Sequence, residues 1–218
     1  NGKSEEEILK SFDVPAKMKI FTYEGEKDTI MKPTDSIIYY KHMLQTGMMA
    51  MEPRSGHIKA WVGGVNYKYF QYDHVGQGAR QVGSTFKPFL YATAIEQLGM
   101  SPCDSIIDSY FTMPKGKWGI DKDWSPKNSD GNYRGTTTLQ KALANSINTV
   151  SAKLIDRVGP QAVVDMAKEL GVTSDIPVQP SIALGAVDIT VEQMVGAMST
   201  FANQGVYVKP TFIIKIED

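Results

Sequence analysis

Cysteine is nearly absent from this chain: Cys103 is the only one in 218 residues. One thiol excludes an intrachain disulfide and any cysteine-built zinc site. A lone cysteine reads as a small buried hydrophobe. Histidine is scarce too. His42, His57 and His74 are spread out, with no H-E-x-x-H and no pair four residues apart. Each reads as structural or solvated, so a Ser-His-Asp arrangement has little to draw on. No charge of one sign dominates, because 23 Lys and Arg stand against 24 Asp and Glu for a net charge of −1. A nucleic-acid partner would call for a basic excess and is not expected. No apolar run approaches the roughly 18–20 residues that span a bilayer. No basic stretch followed by an apolar one opens the chain. The chain as given is therefore expected to be soluble and to carry no address of its own. It begins at Asn1 without Met and stops at Asp218 within a strand-like pattern. Both ends read as cuts through a longer protein. There is no internal repeat and no low-complexity segment.

What remains is ordinary globular material. Hydrophobic residues make up 42% and charged residues 22%, enough for one sizeable domain or two small ones. Ser4 with Glu7 forms a capping box and predicts a short helix from residue 5. Lys17–Tyr23 alternates as a strand. Thr34 or Asp35 is expected to cap a helix carrying Ile37, Ile38, Met43 and Leu44, ended by Gly47. Met48–Glu52 and His57–Val62 read as a hairpin turned by Pro53 to Gly56. Residues 63–83 read as a loop. A helix is expected from Ser84 to Leu98, stopped by Gly99, with Phe86, Leu90, Ala94 and Leu98 on one stripe. Residues 100–137 show turn clusters and little periodicity. Residues 139–158 are helical in composition, and a further helix opens at Pro160 and ends near Leu170-Gly171. Thr190 with Gln193 is read as a second capping box, its helix ending at Asn203-Gln204-Gly205. Val206–Ile216 is strand-like.

Ser84-Thr85-Phe86-Lys87 carries the strongest chemical signal. Residues three apart share one face of a helix. A hydroxyl thus stands beside an amine that can take its proton, provided burial keeps that amine neutral. Gly83 permits close backbone approach. The helix N-terminus offers free N–H groups and a partial positive charge, suited to an oxyanion. Pro88 falls in the first turn, where its missing N–H is not needed. Further along, Ser146 and Asn148 add a hydroxyl and a carboxamide. Two residues apart on one unbroken helix they would point about 200° from each other. To act together they need a break between helices.

S-x-x-K with a later Ser-x-Asn is a pattern shared with β-lactamases and penicillin-binding proteins. Arg80-Gln81-Val82-Gly83-Ser84-Thr85-Phe86-Lys87-Pro88-Phe89 resembles the active-serine segment of class A, bifunctional penicillin-binding proteins. Lys127–Gly135, then Thr138-Leu139 and Ala142–Asn148, are similar to their second segment. Ser181–Ala186 and Thr200–Gly205 are similar to segments that follow. The resemblance runs in order from about residue 15 to the end. It implies an α/β fold, an antiparallel sheet flanked by helices with a helix-rich subdomain, incomplete at the C-terminus. Residues 1–218 are read as one partial transpeptidase domain. No K-T-G or K-S-G occurs in the chain, and the resemblance puts that motif on a strand beyond the chain end. Its absence leaves carboxylate binding and half of the oxyanion hole without residues here, so poor β-lactam labelling of these residues alone is expected. An open sheet edge would favour self-association.

By the same resemblance, Ser84 is the acylated serine and Lys87 its base. Ser146 and Asn148 are the proton relay and the substrate-amide contact. The implied reaction is D,D-transpeptidation of peptidoglycan stem peptides ending in D-Ala-D-Ala, blocked by β-lactams, with neither metal nor organic cofactor. The implied place is the extracytoplasmic face of the bacterial plasma membrane, held by an N-terminal anchor outside this chain. Two other readings stay open. One is a serine β-lactamase or D,D-carboxypeptidase, for which Glu169 and Glu192 are the nearest deacylating carboxylates. The other is a non-catalytic penicillin-binding sensor. Trp118, Trp124 and Tyr133 are candidates to line a peptide cleft or to pack in the loop they share.

Overall fold

A computed structural model describes residues 4–217. They form two compact units, one of residues 4–46 with 64–72 and one of residues 47–63 with 73–217. Reading residues 1–218 as a single domain does not make this division.

In the first unit, helix α1 (Glu5–Ser11) opens on the expected capping box, with Ser4 and Glu7 satisfying each other's backbone N–H. Strand β1 (Ala16–Thr22) pairs with β2 (Gly25–Met31) in an antiparallel hairpin, from Ala16 opposite Met31 to Thr22 opposite Gly25. Sequence reading missed β2, because Glu26, Lys27 and Asp28 hide the alternation that marks a half-buried strand. Helix α2 (Pro33–His42) starts at a proline and has no side-chain cap. The expected Thr34 or Asp35 cap is absent, and Met43 and Leu44 lie beyond the helix. Pro33 explains the shift, since its fixed φ suits the first helical position. Phe21 packs between Tyr69 and Phe70, at ring centroid distances of 5.3 and 5.9 Å.

The second unit holds most of the core. Strands β3 (Met48–Met51) and β4 (Ile58–Val62) form the expected hairpin, with a register shift between Ala50 and Met51. Strand β5 (Arg80–Gln81) leads through a 3₁₀ turn (Gly83–Phe86) into α3 (Lys87–Leu98). Gly99 ends it at φ +62°. Residues 100–137 are not simply loop. Strand β6 (Ser105–Asp108) pairs antiparallel with β7 (Gly135–Thr138). Four-residue strands so far apart in sequence leave no periodicity to read. Then follow α4 (Leu139–Ala144), α5 (Asn148–Val158), α6 (Pro160–Glu169), a 3₁₀ turn (Pro180–Leu184), β8 (Asp188–Ile189) and α7 (Val191–Ala202). β8 pairs antiparallel with β5.

Thr190 caps α7, but Gln193 does not answer it. Its Oε1 instead accepts from the Thr173 and Ser174 N–H groups. Residues 206–217 form no strand. Only Thr211 bridges to His57, and Phe212, Ile213, Ile214 and Ile216 stay exposed. A strand exists only through a ladder, and one bridge does not make one.

The core joins α3, α5 and α6. Phe86, Phe89, Leu90, Val150, Leu154, Ile155, Val163 and Ile182 are completely buried. Leu98, expected on the same stripe, is 42% exposed. Cys103 is exposed as well. It sits in the turn before β6, so its expected burial does not hold.

Candidate active site

Ser84 lies in the 3₁₀ turn that precedes α3, and the sequence places it there through glycine. Gly83 has φ +56° and Gly185 φ +75°. The two backbones touch: Gly83 N–H donates to Gly185 O at 3.1 Å, and Val82 N–H to Val187 O at 3.0 Å. A Cβ on Gly185 would stand 1.8 Å from Gly83 O. Only glycine permits this approach, which holds the start of the serine turn. The 3₁₀ geometry matters as well, because side chains three apart eclipse each other there. Ser84 and Lys87 are so spaced. Ser84 is exposed, and its hydroxyl makes no hydrogen bond within the described residues.

Lys87 is the opposite case, with no solvent exposure at all. Its Nζ lies 2.7 Å from Ser146 O, 3.0 Å from Ser146 Oγ and 2.7 Å from Asn148 Oδ1. No carboxylate pairs with it among the described residues. Burial disfavours the ammonium and pulls its pKa down from 10.5 to about 8. A neutral lysine still satisfies this pocket. It donates to the Ser146 carbonyl and the Asn148 carboxamide oxygen, and accepts from the Ser146 hydroxyl.

The break that Ser146 and Asn148 require is present. Helix α4 closes in a Schellman motif, with Ile147 N–H donating to Ala142 O at 3.0 Å and Ser146 N–H to Leu143 O at 2.9 Å. Its left-handed position is usually glycine. Here it is Ser146, at φ +52°. A side chain held in that region costs about 1–3 kcal/mol. The turn aims the Ser146 hydroxyl at Lys87. Asn148 is the first residue of α5, and its Nδ2 donates to Lys127 O at 2.9 Å. A carbonyl only accepts, so that bond fixes which end of the carboxamide faces Lys87. Sequence reading gave Lys127 no role, since the group at work is its backbone.

The structure thus brings Lys87, Ser146 and Asn148 into hydrogen-bond contact, one 3₁₀ turn from Ser84. Glu169 closes α6 and Glu192 lies in the first turn of α7. Neither bonds to any of these four among the described residues. Trp118 and Trp124 do line a cleft of about 420 Å³, with Asp121, Asp123 and Ser181, while Tyr133 lies outside it. No cluster of His, Cys, Asp and Glu among the described residues is arranged to hold a metal ion. No described helix is long and apolar enough to cross a membrane.

Comparison with known proteins settles the family. Residues 46–218 match the penicillin binding protein transpeptidase domain, and residues 1–44 match the penicillin-binding protein middle domain. The chain belongs to the penicillin-binding protein transpeptidase family. Penicillin-binding protein 1A of Aquifex aeolicus is 39% identical over 178 residues, 80% of this chain and 24% of that protein. Penicillin-binding protein 1A of Neisseria flavescens is 37% identical over 177 residues, 81% of this chain and 22% of that protein. The chain thus spans about a quarter of the length of the curated relatives it matches. The crystal structure of penicillin-binding protein 1A from Haemophilus influenzae superposes with a TM-score of 0.75 at 28% identity, over 92% of this chain and 28% of that one. PonA1 from Mycobacterium tuberculosis, solved in complex with penicillin V, shares the fold with a TM-score of 0.65 at 24% identity, over 95% and 56% of the two chains. This penicillin-binding protein segment is therefore mixed α/β with antiparallel strand pairs.

Proposed function

We propose that this chain carries the acyl-transfer site of a D,D-transpeptidase that cross-links peptidoglycan stem peptides through Ser84. One observation carries the reading. A fully buried lysine, its pKa pulled to about 8, sits on the residue three after an exposed serine, with a hydroxyl and a carboxamide on its amine. Lysine is a usable base only when neutral, and burial brings its pKa from 10.5 down to about 8, so that far more of the neutral amine is present near the operating pH.

In this reading Ser84 Oγ attacks the carbonyl of the penultimate D-alanine and passes its proton to Lys87 Nζ. The C–N bond of the tetrahedral intermediate then breaks. The departing D-alanine nitrogen takes a proton from the Ser146 hydroxyl, and Lys87 returns a proton to Ser146. An amine from a second stem peptide attacks the acyl-serine ester, loses its proton along the same path and releases Ser84 with its proton restored. No redox step and no cofactor enter the balance. Asn148 keeps one Nδ2 proton for a substrate carbonyl, since its other partners use the rest of the carboxamide. A β-lactam presents a strained amide to the same serine and leaves an acyl ester. The relatives' names and the penicillin V complex of PonA1 support that part of the reading. We place the parent protein on the extracytoplasmic side of the plasma membrane, where its substrate is.

The test is product analysis with synthetic stem peptides and the full-length natural protein. Release of D-alanine with a cross-linked dimer supports transpeptidation. Release with only the shortened peptide would instead indicate a carboxypeptidase. No release at all, with penicillin still bound, would favour a sensor.

A further inference from the structure

The start of α5 has no cap of its own: Ile147 stands at the N-cap and offers no side-chain acceptor. The acceptor comes from twenty residues upstream. Asn128 Oδ1 accepts from the Asn148 N–H at 3.0 Å and the Thr149 N–H at 3.2 Å. Asn128 is 6% exposed. Its other end donates from Nδ2 to Asp108 Oδ1 at 2.9 Å and to Asn132 O at 2.8 Å. Asp108 is 1% exposed and Thr149 0%. The Thr149 hydroxyl donates to Asp108 Oδ1, and the Arg134 N–H to Asp108 Oδ2 at 2.8 Å. A carboxylate and a carbonyl only accept, so the amide nitrogen of Asn128 must face them. Its oxygen must then face the helix. The orientation is dictated and not free to flip.

The same two residues therefore hold Asn148 twice. Asn128 takes its backbone N–H, and Lys127 O takes its side-chain nitrogen. What is left facing Lys87 is Asn148 Oδ1. We propose that Asn128, locked by the buried Asp108, is a positioning residue for the reaction: it sets the α5 start, and with it the Asn148 and Ser146 groups that surround the Lys87 amine. This rests on the acyl-serine reading above. The charged groups near this chain of bonds are Asp108, Arg134, which also pairs with Asp130, and Lys153, which reaches Ile107 O and Ser109. Each keeps its partners when only Asn128 is changed, apart from Asp108, which loses one.

The test is the acylation kinetics of the full-length protein with a fluorescent penicillin, as a function of pH, alongside thermal unfolding. The unsubstituted protein comes first. Labelling at Ser84 there checks the acyl-serine reading by itself, so failure of that reading is separable from failure of this one. Asn128→Ala should lower the limiting acylation rate on the order of 100-fold, the size of loss an ångström of misplacement produces. The pH midpoint of the rate should rise from near 8 toward that of an ordinary lysine, because a loosened α5 start admits water to Lys87. A purely structural residue would lower the melting temperature and leave rate and midpoint of the folded fraction unchanged, and that result would overturn the proposal. If the alanine variant does not fold, Asn128→Asp carries the test, alone and with Asp108→Asn. The single change sets the new carboxylate oxygen against two acceptors, Asp108 Oδ1 and Asn132 O, of which the second change converts the first to a donor. The double change restores a donor–acceptor pair and should recover at least part of the lost rate. A double variant as slow as the single one would overturn the proposal.

Discussion

Lys87 should make the protein more stable as the solution turns alkaline, and a variant without it should lack that gain. The pKa of Lys87 falls from 10.5 in an ordinary setting to about 8 in the folded protein. At pH 7 the lysine is protonated in both folded and unfolded states, so the folded state bears the full penalty of a buried ammonium. At about 1.4 kcal/mol per pKa unit the penalty is about 3 kcal/mol. Between pH 8 and 10.5 the unfolded chain binds more protons at this residue than the folded one, so stability rises with pH. Lys87→Met keeps most of the volume and removes the titration. It also strips partners from Ser146 O, Ser146 Oγ and Asn148 Oδ1, at about 1–3 kcal/mol for each group left unsatisfied. The sign of the difference at pH 7 is therefore not the test; the slope is. Urea unfolding of both proteins from pH 7.5 to 10.5, with m-values compared, measures it. The stability of the original protein relative to Lys87→Met should climb by about 3 kcal/mol over that range. Parallel curves would refute the claim that burial pulls the Lys87 pKa down to about 8.

Other outcomes follow from the same geometry. Gly185→Ala drives a methyl to 1.8 Å from Gly83 O, a backbone atom that cannot give way; it should lower the melting temperature and cut acylation at least 100-fold. Gly131→Ala has a similar φ of +72° and nothing within 4 Å, so it should cost only about 1 kcal/mol of backbone strain by denaturant titration. Ser146→Gly should be more stable than Ser146→Ala by about 1 kcal/mol, because both lose the hydroxyl and only glycine relieves the φ of +52°, while both should acylate slowly. At Asp108 desolvation pushes the carboxyl up, but bonds from Thr149, Asn128 and the Arg134 backbone, with the Arg134 charge, hold it below its usual value. Its contribution is present above about pH 4 and lost as pH falls through the folded pKa, so the stability gap between the original protein and Asp108→Asn should close in acid. Phe86→Ala empties a fully buried position and should cost about 3–5 kcal/mol in urea unfolding.

The parts of this site that were legible in sequence are those with local rules. Ser84 and Lys87 are tied by helical spacing. The break between Ser146 and Asn148 follows from geometry alone, since an unbroken helix would part them. Gly99 and Pro160 mark helix ends by their own backbone preferences. What was hidden depends on distant partners. Lys127-Asn128-Ser129-Asp130-Gly131 reads as a turn, and nothing local says that the Asn128 amide caps a helix beginning at residue 148. Strands β6 and β7 are four residues each and find each other across a long excursion, so no period betrays them. Gln193 fits a capping box by spacing, yet two amides at Thr173 and Ser174 claim its side chain. Val206–Ile216 has strand composition, and composition does not supply a partner strand.

Acylation of Ser84 is the step on which the proposed chemistry rests, and mass spectrometry after incubation with benzylpenicillin measures it directly. The full-length natural protein should gain the mass of one penicillin, and peptide mapping should place it on Ser84, with no gain in Ser84→Ala. An adduct on another residue, or an undiminished adduct in Ser84→Ala, would contradict Ser84 as the nucleophile.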